Sequence, residues 1–116
     1  MESKLFSPVT FGPLTLRNRT IRAAAFESMC PENTPTQMLL DYHRSVAAGG
    51  VGMTTVAYAA VTQSGLSFDR QLWLRPSIIP RLHELTKAEH DEGAAVGIQI
   101  GHCGNMSHKN ICGVTP

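Results

Sequence analysis

A parallel α/β fold is what this 116-residue sequence predicts, and three observations predict it. From residue 20 to residue 100, strand-like and helix-like patterns alternate, which implies parallel strands joined by right-handed helical crossovers. The run Val51 to Val61 is apolar with β-branched Thr54, Thr55 and Val56, too continuous for a strand wetted on one face and suited to a sheet covered on both sides. The stretch Gly93 to Gly104 starts with a helix-stopping glycine, crosses a buried strand interrupted by the lone amide of Gln99, and ends in the glycine-bounded pair His102-Cys103. Polar chemistry thus gathers at the carboxyl end of a strand, where α/β enzymes place their ligands.

In order, residues 7–19 read as a small hairpin around the turn Gly12-Pro13, with Thr10, Thr15 and flanking Val, Phe and Leu supplying β character. Thr20 to Phe26 reads as the first strand of the main body. Its three successive alanines leave room for something to approach the backbone, and Arg22 inside it needs a carboxylate, a carbonyl or a route to solvent. The tetrad Thr34-Pro35-Thr36-Gln37 combines an N-cap hydroxyl, a proline at the first helical position and an amide three residues after the cap. A helix therefore starts there, buries Leu39, Tyr42 and Val46, and stops at Gly49-Gly50. After the strand of residues 51–61, Thr62 to Arg75 reads as a long loop of the kind that lines a site, with Phe68 and Trp73 as packing residues. A second helix begins at about Ser77 or Pro80, carries Ile78, Leu82 and Leu85 on one face, and runs to Glu92. Ala94 to Ile100 is the third strand, and residues 101–116 read as a loop. The body over 20–100 is thus β-α-β-α-β. A closed (β/α)8 barrel takes about 250 residues, so within such a barrel this chain holds less than half and its third strand presents an unpaired edge.

With 42% hydrophobic and 16% charged residues, the chain is ordinary globular material of one domain at most. A formal charge of +1, without a basic stripe or charge run, supplies no electrostatic footprint for nucleic acid or acidic membranes. No segment has the length of a signal-peptide core or a membrane span, and Cys30, Cys103 and Cys112 are odd in number and unevenly spaced. The expectation is a cytoplasmic protein with reduced thiols.

Several residues could carry chemistry. The amide of Gln99 donates and accepts at once, which suits a ring of alternating carbonyl and N–H groups such as a flavin pyrimidine; a neighbouring strand or loop carbonyl could equally satisfy it. His102, Cys103, His108 and Cys112 form a zinc-compatible set, but the spacing lacks a Cys-x-x-Cys and makes His102 and its neighbour awkward joint ligands. A flexible loop with incidental His and Cys is the other reading. Glu27 could act as a general base or pair with Arg22 or another cation. Ala23 to Phe26 offers backbone groups to a planar ligand, or packs tightly against a helix. Gly49-Gly50-Val51-Gly52 precedes a strand, so it reads as a helix stop and not a dinucleotide fingerprint.

Taken in order, Leu5-Phe6-Ser7-Pro8, Gly12-Pro13-Leu14-Thr15-Leu16-Arg17-Asn18-Arg19, Tyr42-His43-Arg44 before Ala48-Gly49-Gly50-Val51-Gly52, and Gly97-Ile98-Gln99-Ile100-Gly101-His102 span almost the whole chain. Through them it resembles the N-terminal part of the old yellow enzyme family, NADH:flavin oxidoreductases that bind FMN in a (β/α)8 TIM barrel. The resemblance implies a hairpin plus about three βα units of that barrel, in an N-terminal fragment covering residues 1–116. It implies that Ala23, Ala24, Ala25 and Phe26 contact the flavin mainly through main-chain atoms, that Tyr58 lies beside the ring, and that Gln99 hydrogen-bonds the pyrimidine. The complete enzyme would take hydride from NADH or NADPH and reduce an activated alkene such as an enone or enoyl compound.

The departures are specific. Phe26 stands where many members have Thr or Cys, Tyr58 replaces a small residue, and His102-Cys103-Gly104-Asn105 stands where His-Ala-Gly-Arg is common. The family's substrate-binding His/His or His/Asn pair, its proton-donating tyrosine and its FMN-phosphate groups belong to later barrel units. No catalytic residue and no metal ligand is therefore assigned within the chain, and the 116 residues alone are expected to bind FMN weakly or not at all and not to turn over. Expected partners are a small-molecule substrate and the rest of the barrel or a partner chain, with homo-oligomers compatible. The alternatives are a non-catalytic flavin-binding or assembly subunit completed by another polypeptide, and a small metal-binding protein using residues 103–112.

Overall fold

The computed structural model describes residues 3–116. Strands β1 (Val9–Phe11) and β2 (Leu14–Leu16) form an antiparallel hairpin, turned at Gly12, whose φ of 54° is the left-handed region that glycine tolerates. In the body, β3 (Met53–Ala60) is central, with β5 (Ala95–Gly101) parallel along one edge and the two-residue β4 (Leu72–Trp73) parallel at the end of the other. Helices α1 (Gln37–Ala48) and α2 (Ile79–Asp91) pack beside each other on one face of this sheet, and a last turn, α3 (Lys109–Cys112), follows β5. Cys30, Leu39 of α1, Val56 and Ala59 of β3, Leu72 of β4, Ile78 in the turn just before α2 and Leu85 of α2 form the buried core. From α1 onward the expected alternation of helices and parallel strands is found, with β4 added, and it is that of the opening βα units of a barrel. Among the described residues no helix is long and apolar enough to cross a membrane.

Five local expectations are corrected. The first helix is capped by Thr36, whose hydroxyl accepts from the Leu39 amide at 3.3 Å, while Thr34 stays in the loop and accepts from Arg75 Nη2 at 2.8 Å. Its buried stripe is Leu39, His43 and Ala47, not Leu39, Tyr42 and Val46, because both ring nitrogens of His43 find buried partners and the imidazole can enter the core. Residues 20–26 run along β3 but form only one bridge, Ile21 to Met53. Further on, side chains take the places a main-chain ladder would use: Arg22 Nη1 donates to the Thr55 carbonyl at 2.7 Å and Glu27 Oε1 accepts from the Ala57 amide at 2.6 Å. The loop of residues 62–75 hides β4, and the tail holds short helical turns at Gly104–Met106 and in α3.

On the buried side of α2 lies Glu89, with both carboxylate oxygens buried and unpartnered. Burial pushes its carboxyl up to about 7, with the Arg44 charge pulling down and Glu92 pushing up. A carboxyl raised above its unfolded value holds a proton in the folded state that the unfolded state has released. Stability should therefore fall as pH rises from the ordinary value of 4.5 through about 7. Glu89→Gln should flatten that slope and raise stability by about 1 kcal/mol at pH 8, read from urea unfolding at several pH values.

Candidate functional site

The sheet has two unlike faces. On β5, Val96 and Ile98 line an apolar hollow with Leu82 and Leu85 of α2, so Gly97, Gln99 and Gly101 point to the opposite face. On β3, Thr54 meets His43 of α1 and Val56 lies in the core, which turns Met53 and Thr55 to that same opposite face. Gly97 confirms the pairing: a Cβ there would sit 2.5 Å from Met53 Cε. Along the first segment Arg22 reaches Tyr42 of α1, while Ile21, Ala23 and Ala25 are exposed on the other side. The helix-free face is therefore walled, toward its carboxyl end, by Ala23, Ala25, Thr55, Gly97, Gln99 and Gly101. These are short side chains and one amide, a surface with room for a flat molecule and a group to hydrogen-bond its edge.

Gln99 is exposed and so is not used up inside the protein. Ala24 points to the helix side and is half-buried. Phe26 and Tyr58 meet at the mouth with ring centroids 5.4 Å apart, and Phe68 stacks on Phe26 at 4.6 Å. Phe68, 47% exposed, extends the aromatic edge outward and is not simply a packing residue. Its loop is ordered by buried Gln71, whose Oε1 accepts from the Ser67 amide at 2.7 Å and the Phe68 amide at 3.3 Å. Arg75 lies over the Trp73 ring at 4.6 Å and donates to the carbonyls of Asn33 and Trp73, so Trp73 packs as expected.

Beneath this mouth is a polar cluster. Glu27 Oε2 accepts from His43 Nε2 at 2.6 Å, His43 Nδ1 meets Thr54 Oγ1 at 2.7 Å, and Arg22 Nη1 stands 3.9 Å from Glu27 Oε1. Of the two roles open to Glu27, pairing is the one formed, because its carboxylate is turned inward and engaged. The sequence reading missed His43 as its partner. Its signal was the spacing of residues 39, 43 and 47, a helical stripe with a polar residue at its centre.

The zinc-compatible residues do not converge: among the described residues no group of three His, Cys, Asp or Glu side chains could hold a metal. His102 Nδ1 accepts from the Gly104 amide at 3.0 Å, which leaves Nε2–H to donate to Ser64 Oγ at 3.3 Å. The Cys112 thiol donates to the Val114 carbonyl at 3.2 Å. Cys30 is a core thiol, pushed up to about 12 by burial and then by the Glu27 charge, and is inert as a nucleophile at neutral pH.

Residues 4–112 match the family described as NADH:flavin oxidoreductase / NADH oxidase. The chain is 45% identical over 104 residues to 4,4'-dithiodibutanoate disulfide reductase of Rhodococcus erythropolis, a match covering 90% of this chain and 26% of that protein. It superposes on 2-naphthoyl-CoA reductase, solved with 2-naphthoyl-CoA, with a TM-score of 0.88 and 26% identity over 96% of this chain and 17% of that one. An old yellow enzyme homologue from Zymomonas mobilis gives a TM-score of 0.89 at 24% identity, covering 98% of this chain and 32% of its own. Morphinone reductase, solved with tetrahydroNAD, gives 0.84 at 21% identity, over 99% and 31%. The chain thus spans about a quarter of the length of the curated relative it matches, given by the 26% above, and a third or less of these solved chains.

Proposed function

Because the chain belongs to the NADH:flavin oxidoreductase / NADH oxidase family, we propose that it builds one wall of the FMN site of an oxidoreductase that draws hydride from NADH or NADPH. In this reading residues 1–116 are an N-terminal portion of the barrel domain, acting in the cytoplasm on a small molecule. FMN supplies the hydride relay between nicotinamide and substrate. This chain's residues bind and orient. Gln99 donates to and accepts from the pyrimidine edge, Ala23 to Phe26 approach through the main chain, and Phe26 with Tyr58 closes the mouth against water. The observation that carries the reading is the exposed amide of Gln99 in a wall of Ala and Gly side chains, within a segment matched by the family from residue 4 to residue 112.

The substrate class proposed is an activated alkene, an enone or enoyl compound. A small organic disulfide is the second reading, favoured by the 45% identity to a disulfide reductase. Steady-state NADH oxidation by the complete protein with a cyclic enone and with an aliphatic disulfide separates the two. Gln99→Ala in the complete protein should weaken FMN about tenfold and shift its reduction potential, since the pyrimidine loses a bidentate partner. Unchanged affinity and potential would remove Gln99 from the site.

A further inference from the structure

Glu27 is placed to do more than satisfy the core. Its side chain is 3% exposed and that of His43 is 0% exposed, and a buried carboxylate is kept only where its partners are fixed. Those partners come from separate elements. His43 of α1 holds Oε2 at 2.6 Å and is itself aimed by Thr54 at 2.7 Å, while Oε1 receives the Ala57 amide of β3 at 2.6 Å. Arg22 steadies the group from below, donating to the Thr55 carbonyl at 2.7 Å and to Tyr42 Oη at 3.2 Å. One end of this chain of contacts is anchored in a helix. The other grips the peptide nitrogen that immediately precedes Tyr58, and Glu27 itself immediately follows Phe26.

A single side chain thus fixes both aromatic residues of the mouth relative to one another. It does so where β3 and β5 lose register, between Val56 and Ala59, so that the ladder does not set the position of residues 57 and 58. We infer that Glu27 is a positioning residue for the flavin wall, acting through the Ala57 main chain, and that its reach matters more than its charge. The inference rests on the FMN reading above.

Two conservative variants of the complete protein separate reach from charge. Glu27→Gln keeps the length: its carbonyl accepts from the Ala57 amide, and its amide donates to His43 once the ring proton moves to the Thr54 side. Glu27→Asp keeps the charge but is one methylene too short to serve His43 and Ala57 together. Hydrogen exchange at the Ala57 amide is measured without flavin, and FMN affinity and reduction potential are measured with it.

Glu27→Asp should lose at least about tenfold in Ala57 protection and in FMN affinity, with a shifted potential, whereas Glu27→Gln stays within about threefold of wild type. The opposite order would mean that charge governs, and thermal destabilisation alone, with Kd and potential unmoved in both variants, would mean a purely structural role; either overturns the inference. If Glu27→Asp does not fold, Ala57 exchange in His43→Gln reads the same positioning, expected to be lost and overturned if retained. A wild-type protein that takes up no FMN yet shows the expected exchange pattern keeps the positioning of Ala57 and removes the FMN reading.

Discussion

Arg17→Ala should destabilise the protein by about 3 kcal/mol, the largest stability loss expected from one exposed side chain here, lowering the unfolding temperature by roughly 10 °C. The guanidinium leaves the end of β2 and binds the body at three places. It donates to the Ala47 carbonyl at the end of α1, to the Val51 carbonyl ahead of β3, and to the Glu92 carbonyl after α2 at 2.7 Å. Carbonyls at a helix end have lost their intrahelical donors and carry the negative end of the dipole, so one cation there serves both helices. Gly93 makes the approach possible, since a Cβ on it would lie 2.7 Å from Arg17 Nη1. Arg17→Lys should recover less than half of the loss, because an ammonium cannot span three diverging carbonyls. Urea unfolding of the three proteins checks this. A loss below about 1 kcal/mol for alanine would place the hairpin's attachment elsewhere.

What the sequence made legible follows from how far each signal travels along the chain. The order of strands and helices could be read because apolar periodicity and glycine stops act over a few neighbouring residues, as at Gly93 with its φ of 87°. Gln99 stood out because a lone amide in an apolar strand is visible without a structure. By contrast, the stripe on α1 depended on Glu27, sixteen positions before His43 and brought beside it only by the fold. Without that partner a histidine scores as polar and the face is assigned to Tyr42. The first strand's early loss of its ladder depended likewise on Arg22 and Glu27 reaching β3, some thirty residues away. β4 was hidden for a different reason: two residues carry no period, and Leu72 and Trp73 become a strand only because Ala59 and Ala60 offer an edge.

The same distinction separates the residues singled out from the sequence from those that support them. Ala23, Ala25, Phe26, Tyr58 and Gln99 lie at or near strand ends, where family resemblance and strand position coincide. The side chains that hold them lie on the helix side, in Arg22, Glu27, His43 and Thr54, and are linked only in three dimensions.

FMN should bind the 116 residues alone at least about a hundredfold more weakly than the complete protein, and mixing this chain with NADH should give no flavin-dependent oxidation. In the proposed site this wall would meet the flat ring and not the phosphate. Near its mouth, Arg70 donates to the Ser28 carbonyl at 2.8 Å and Arg75 to the carbonyls of Asn33 and Trp73, so the arginines of that loop are committed to main-chain groups. Two missing charge-assisted hydrogen bonds to a phosphate, at about 1.5–3 kcal/mol each, already account for a hundredfold or more. The proposed site would also cover the ring on one side only. Among the described residues no strand pairs with the outer edge of β5, where Ile98 is 39% and Ile100 56% exposed. Fluorescence titration of FMN against the chain and against the complete protein measures the ratio. Equal affinities would mean that residues 3–116 already hold the phosphate, and would move the site away from the helix-free face on which Gln99 lies.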